Sequence, residues 1–246
     1  MTHAIRPSSG TNRPRSRSAT EYGGAARGFA KRVTFAGIIW VAFASLCDAG
    51  KLTVIVVDRS GRAVAEVVAT AAAVPPKASA PAAEDATAIM DQHDLAFVPR
   101  VLVVAIGTKV EFPNSDSVSH QVYSFSPAKR FQLPLYKGAL HPAVTFDKAG
   151  LVVLGCNIHD QMVGYIYVTD APFFGKTDSQ GALHLTTVPA GDYLVTLWSP
   201  FVADDPATLT RTVHVGERDP ASTRVQLTRD LRARPEPRPR RTDWEY

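Results

Sequence analysis

The chain has 246 residues, 45% of them hydrophobic and 20% charged. These are globular proportions, which exclude a wholly disordered chain and allow one large or two small domains. Net charge is +4, but residues 1–32 hold seven Lys/Arg against Glu21 alone, leaving 20 basic and 22 acidic residues elsewhere. The basic excess therefore belongs to a leader and does not point to nucleic acid.

The leader has the order of a secretory signal. Arg27, Lys31 and Arg32 precede the apolar run VTFAGIIWVAFASL (Val33–Leu46), and CDAG follows with small residues at Cys47 and Ala49. A basic start, a short apolar core and a small-residue exit predict export, and so a periplasmic location. The run is short for a membrane span, which takes about 20 apolar residues; an uncleaved anchor is the alternative, and the only route to a membrane. Residues 1–49 are thus read as leader. Cleavage after Ala49 leaves Cys156 as the only thiol. Unpaired in an oxidising compartment, it is exposed to oxidation unless something such as a metal holds it.

Leu52–Ala71 reads as two β-rich runs around the turn DRSG, a predicted hairpin. An Ala/Pro-rich stretch follows at about 72–88, with the composition of a flexible loop. In VLVVAI (Val101–Ile106) apolar residues occupy both alternating sets, so both faces are predicted buried. His120–Ser126 is rich in Val, Tyr and Phe, Ala143–Cys156 reads as strand, turn, strand, and Met162–Asp170 as a further strand. Beyond 170 the pattern changes. GKTDSQGALHLTTVPAGDYLVTLWSP holds strand pairs around DSQG and PAGD turns, and TRTVHVG and TRVQLT add strands. Many short strands without a helical stripe predict an all-β protein. The Pro/Arg-rich end, 229–246, is predicted to be a disordered tail.

The chemistry concentrates in LGCNIHDQMVGYIYV. Cys156, His159 and Met162 stand three residues apart between two strands, so a tight connection can turn all three inward. Taken singly, a cysteine is a small hydrophobe, a histidine a loop residue and a methionine core filling. Together they are a soft donor set. Two histidines, a cysteine and an axial methionine make a type-1 copper site, whereas zinc rarely takes methionine. The set lacks one histidine. His120, after the polar loop FPNSDSVS and before a strand, is one candidate; His141, in KGALHPAV, is the other. His93, His184 and His214 read as exposed or strand-face residues.

At these residues the chain resembles the cupredoxins, the plastocyanin, azurin and amicyanin group. The spacing C-x2-H-x2-M is that of the amicyanin ligand loop. The longer string from FPNSDSVSHQVYSFS to LGCNIHDQMVGYIYVTD resembles a bacterial plastocyanin-like group labelled methylamine utilisation proteins, and the resemblance spans Met90 to Asp170. It implies a Greek-key sandwich, copper ligands His120, Cys156, His159 and Met162, and Asn114 as a loop-fixing residue. Many of these proteins carry Asn directly after the first histidine ligand, tying two ligand loops together; here it is Gln121. Residues 171–228 resemble a small carboxypeptidase-regulatory or transthyretin-like β-module, and the VDRSGRAV segment has a similar character that would let it pack there.

These readings divide the chain into leader, a copper domain at 50–170, a β-module at 171–228 and a tail. They imply a one-electron carrier that is not an enzyme. It would hold one Cu(I)/Cu(II) ion, dock a redox partner protein near His159, and take no small-molecule substrate and no nucleic acid. A copper chaperone or copper-resistance protein is the alternative.

Overall fold

The computed structural model describes residues 50–76, 86–138, 142–217 and 219–233. The leader, His141, the middle of the Ala/Pro stretch and the tail from 234 lie outside the described residues.

Described in chain order, β1 (Gly50–Val57) and β2 (Val68–Val74) come first. Then follow β3 (Thr87–Ile89), β4 (Asp91–His93), β5 (Ala96–Val98), β6 (Val101–Ala105) and β7 (Lys109–Glu111). Next are β8 (Val122–Ser126), β9 (Lys129–Gln132), β10 (Ala143–Thr145), β11 (Gly150–Cys156) and β12 (His159–Thr169). The last are β13 (Phe173–Lys176), β14 (Ala182–Val188), β15 (Gly191–Trp198), β16 (Thr210–Val215) and β17 (Ala221–Gln226). The protein is all-β, as its alternating runs predict; among the described residues one 3₁₀ turn, Pro206–Leu209, interrupts the strands.

Two sandwiches result. In the first, sheet β6-β12-β11-β8-β9 faces sheet β10-β7-β3. Between them lies a core that includes Val110, Phe112, Phe146, Val152, Leu154, Met162 and Ile166. β12 alternates strictly, sending Met162, Gly164, Ile166 and Val168 inward. Gly164 has no side chain for a reason of space, because a Cβ there would stand 2.8 Å from the Cβ and ring of Phe97. In the second sandwich, β14-β1-β17 faces β13-β2-β15-β16 across Leu52, Val54, Val56, Ala69, Ala71, Tyr193, Val195 and Val215.

Pairing corrects several expectations. Only the tip of the expected β1–β2 hairpin forms, with Val57 bridged to Ala63 and the Val64 N–H donating to Val56 O at 3.0 Å; beyond it β1 pairs with β14 and β17, β2 with β13 and β15. Likewise β14 and β15 lie in different sheets, so the DSQG and PAGD turns carry the chain between sheets. The local turns are real, with Asp58 accepting the backbone N–H groups of Ser60 and Arg62, but tertiary burial of both apolar faces decides the pairing. By hydrogen bonding, β1 and β2 go with the strands after 170 and not with the 50–170 segment. The Ala/Pro stretch is strand at its ends, since β2 runs to Val74 and β3 starts at Thr87. The start of the tail is held too: Asp204 accepts the Arg229 N–H at 3.2 Å and Phe201 O accepts the Arg232 N–H at 2.7 Å.

The double-sided burial expected of Val101–Ile106 has a clear cause. Leu102, Val104 and Ile106 face the first core. Val101 and Val103 face outward, where Val68, Phe201 and Trp198 of the second sandwich cover them together with Tyr165 and Tyr167.

A candidate metal centre

β11 ends and β12 begins across a two-residue turn, so Cys156 and His159 are cross-strand partners. On its other side Cys156 pairs with Val122 at the start of β8. His120 lies two residues before Val122 and is bridged to Tyr136, with backbone bonds in both directions at 3.0 and 3.1 Å. Three separate stretches therefore deliver their side chains to one end of the first sandwich.

There the donor atoms meet. His120 Nδ1 and His159 Nδ1 are 3.1 Å apart, and Cys156 Sγ lies 3.7 Å from the first and 3.6 Å from the second. Nitrogen and sulfur donors sit about 2.0–2.3 Å from a first-row dication. Three of them spread evenly around it in a plane stand about 3.5–3.7 Å from each other, so the observed triangle fits such an ion with slight opening between the two imidazoles. Among the described residues these three make the one group of His, Cys, Asp or Glu side chains spaced to hold a metal. His120 is 0% and Cys156 3% exposed, whereas His159 is half-buried, the rim of the site. Met162, 1% exposed, belongs to the same buried cluster as Cys156.

The electrostatics suit a thiolate. Burial pushes the Cys156 thiol up, but the His120 hydrogen bond, the backbone N–H groups of Gln121 and Ile158, and His159 outweigh it and bring the pKa down to about 6. Burial opposes charge on His120, yet its bonds to Cys156 and Asp116 raise its pKa on balance.

Asp116 was not singled out in the sequence. Its Oδ2 lies 3.0 Å from His120 Nε2, and the two side chains are 2% and 0% exposed. Burial pushes its carboxyl up, but the Leu95 N–H, His120 and the Asp94 N–H hold it below the usual carboxylate range. Asn114 behaves as the resemblance implies. Its Nδ2 donates to Val118 O at 2.9 Å and Tyr136 O at 3.1 Å, and its Oδ1 accepts the Asp116 N–H at 3.0 Å. Gln121 makes a tie of its own: its Oε1 accepts from Asn157 Nδ2 and its backbone O from the Asn157 N–H, each at 3.0 Å. The loops are thus joined despite the departure at this position. His93, His184 and His214 are exposed and apart from the cluster. His93 and His214 lie beside Asp94 and Asp192, and His184 beside Thr53.

No protein-family model matches the chain, and no curated protein matches it. Solved structures do, over parts of it. One is the copper-containing nitrite reductase of Thermus scotoductus SA-01, 28% identical over 38% of this chain and 24% of that one, with a TM-score of 0.33. This chain thus matches about a quarter of the reductase. Another is a purple cupredoxin from Nitrosopumilus maritimus, 25% identical over 35% of this chain and 100% of that one, TM-score 0.31. A third is a reduced mutant of amicyanin, 25% identical over 41% and 99%, TM-score 0.32.

Proposed function

We infer that this is an exported type-1 copper protein that carries single electrons, with His120, Cys156, His159 and Met162 as ligands. The convergence of two imidazole nitrogens and one sulfur from three stretches of chain carries the reading. Two imidazoles, a thiolate and a thioether would favour copper over zinc, and Met162 is the thioether buried in the same cluster as Cys156.

Copper, when bound, supplies a one-electron couple. The chain supplies the rest. Cys156 enters as thiolate, already favoured by its surroundings. His120 offers Nδ1 because Asp116 holds Nε2. Burial of His120, Cys156 and Met162 keeps water away, and strands on both sides fix the donors in advance. His159, the most exposed of the four, is the edge at which a redox partner protein docks, with Val163, which pairs with Gly155, beside it. Four protein donors leave no open position for a substrate, so the chain acts as a carrier and not an enzyme. The periplasmic location follows from the leader sequence.

The competing reading is a chaperone that binds Cu(I) and passes it on; a buried, preformed site argues for the carrier. Addition of Cu(II) to the metal-free full chain decides between them. A carrier develops intense visible thiolate charge-transfer absorption, which Cys156→Ser abolishes. Colourless Cu(I) binding with rapid exchange supports the chaperone, and a coloured Cys156→Ser variant ends the ligand assignment.

A further inference from the structure

We propose that Asp116 is the positioning residue of the metal centre, fixing the His120 tautomer and biasing the site toward the more highly charged, oxidised ion. This rests on the copper reading above and goes beyond it, because the residue is not a ligand.

The geometry begins in the β4–β5 turn. Asp94 and Leu95 both have positive φ, 51° and 57°, conformations uncommon for residues other than glycine. That backbone directs two consecutive N–H groups at one carboxylate. Asp116 Oδ1 accepts from Asp94 N at 3.2 Å, and Oδ2 accepts from Leu95 N at 2.9 Å. The remaining direction from Oδ2 is taken by His120 Nε2 at 3.0 Å. Asp116 cannot easily relax away, since its own N–H is held by Asn114 Oδ1 and Asn114 in turn grips Val118 O and Tyr136 O.

Two consequences follow. A carboxylate is acceptor only, so the ring nitrogen facing it carries the hydrogen, and the neutral ring then has its lone pair on Nδ1. Nδ1 is the atom aimed at Cys156 Sγ and His159 Nδ1. Second, the carboxylate is a buried negative charge one ring away from the donor triangle. It strengthens the imidazole as a donor and favours the ion of higher charge. Both effects act in the same direction, toward tighter holding of Cu(II) relative to Cu(I).

A purely structural latch between the β4–β5 turn and the 114–120 loop would have the same contacts. It would change stability and leave the balance between the two oxidation states alone. The test is therefore a potential, measured by equilibrium redox titration of the copper-loaded full chain, next to nitrogen NMR of His120 in the metal-free chain. In Asp116→Asn the ratio of Cu(II) to Cu(I) affinity should fall about tenfold, the lower end for lost outer partners of a ligand, which is a rise of about 59 mV for one electron. Asp116→Glu, which keeps the charge, should stay closer to the unaltered chain. NMR should show His120 protonated on Nε2.

A coloured Asp116→Asn variant with an unchanged ratio overturns the proposal, as does a Glu variant shifted as far as the Asn variant. If Asp116→Asn fails to fold, the unaltered metal-free chain decides at a pH where the His120 ring is neutral: an Nε2–H tautomer supports the proposal and an Nδ1–H tautomer overturns it. A chain that takes up no copper while His120 is Nε2–H sinks the copper reading first, and with it the ground for a redox role.

Discussion

Cys156 is the residue on which the centre turns, and its depressed pKa has a measurable sign. An ordinary thiol is largely protonated at neutral pH, whereas Cys156, at about 6, is mostly thiolate. Metal uptake at pH 7 then displaces little proton from sulfur, and protons do not compete at sulfur until about pH 6. Below that, each pH unit adds a competing proton at sulfur and weakens binding about tenfold from this group alone. The metal-free chain follows the same logic. A depressed folded pKa contributes stability that is complete above the unfolded thiol value and is lost as pH falls toward 6. Ultraviolet thiolate absorbance of the metal-free protein should titrate near 6; a midpoint near 8.5 would show that the His120 and backbone hydrogen bonds do not form. At this scale much was legible. Cys156 and His159, which meet in one cluster with His120, stand out in the sequence by their spacing, whereas position alone left His120 level with His141 and the resemblance chose between them. Asp116 did not stand out, because the N–H groups that aim its carboxylate at His120 come from a left-handed Asp94–Leu95 backbone that no local rule assigns to a leucine. Such a conformation costs about 1–2 kcal/mol per residue, and its position at the site is the sort of local conflict that sequence patterns do not forecast.

At the level of elements, two glycines in neighbouring strands should answer differently to the same substitution. A Cβ at Gly164 would meet the Cβ and ring root of Phe97 at 2.8 Å, atoms close to the β5 backbone in a full core. Gly164→Ala should therefore force a backbone shift and destabilise the fold by about 1–3 kcal/mol, the usual range for overpacking. A Cβ at Gly155 would meet the far end of Tyr123, its Cζ and Oη at 2.7 and 2.8 Å. That ring covers the glycine from the cross-strand position on β8 and lies on a groove open to solvent, of about 340 Å³, lined also by Phe125, Val153 and Cys156. Tyr123 can swing aside, so Gly155→Ala should cost under about 1 kcal/mol, within the usual span for a substitution that leaves the core intact. Urea unfolding of the two variants checks both figures, and equal losses would defeat the distinction. Strand existence was legible here from β-branched and aromatic runs, and partner choice was not. β1 and β2 look like one hairpin because DRSG is a good turn. Each strand instead finds a long apolar face in a different sheet, information held in residues more than a hundred positions away.

For the molecule as a whole, the question is whether the two sandwiches stand or fall together. The outer face of β6 and β12 shows Val101, Val103, Tyr165 and Tyr167 to the second sandwich, which answers with Val68, Trp198 and Phe201. Trp198 packs against Tyr165 and Tyr167 with ring centroids 5.9 and 5.4 Å away. Lys176 bridges the halves, its Nζ donating to Glu66 Oε2 at 2.7 Å and to Val101 O at 2.8 Å. The ion pair is partly solvated and so contributes little; the apolar contact carries the coupling. Phe201 is 6% exposed, and a buried Phe→Ala change costs about 3–5 kcal/mol through lost transfer energy and the cavity left behind. Because that loss falls on the contact between halves, and each half keeps its own core, Phe201→Ala should do more than lower one melting point. Calorimetry should show one cooperative transition for the unaltered chain and two for the variant. Copper should then raise only the transition of the half bearing Cys156, since binding stabilises only the unit it reports on. A variant that still melts in one step, with copper shifting the whole of it, would mean that coupling runs through the chain crossings at β2–β3 and β12–β13 and not through this packed face.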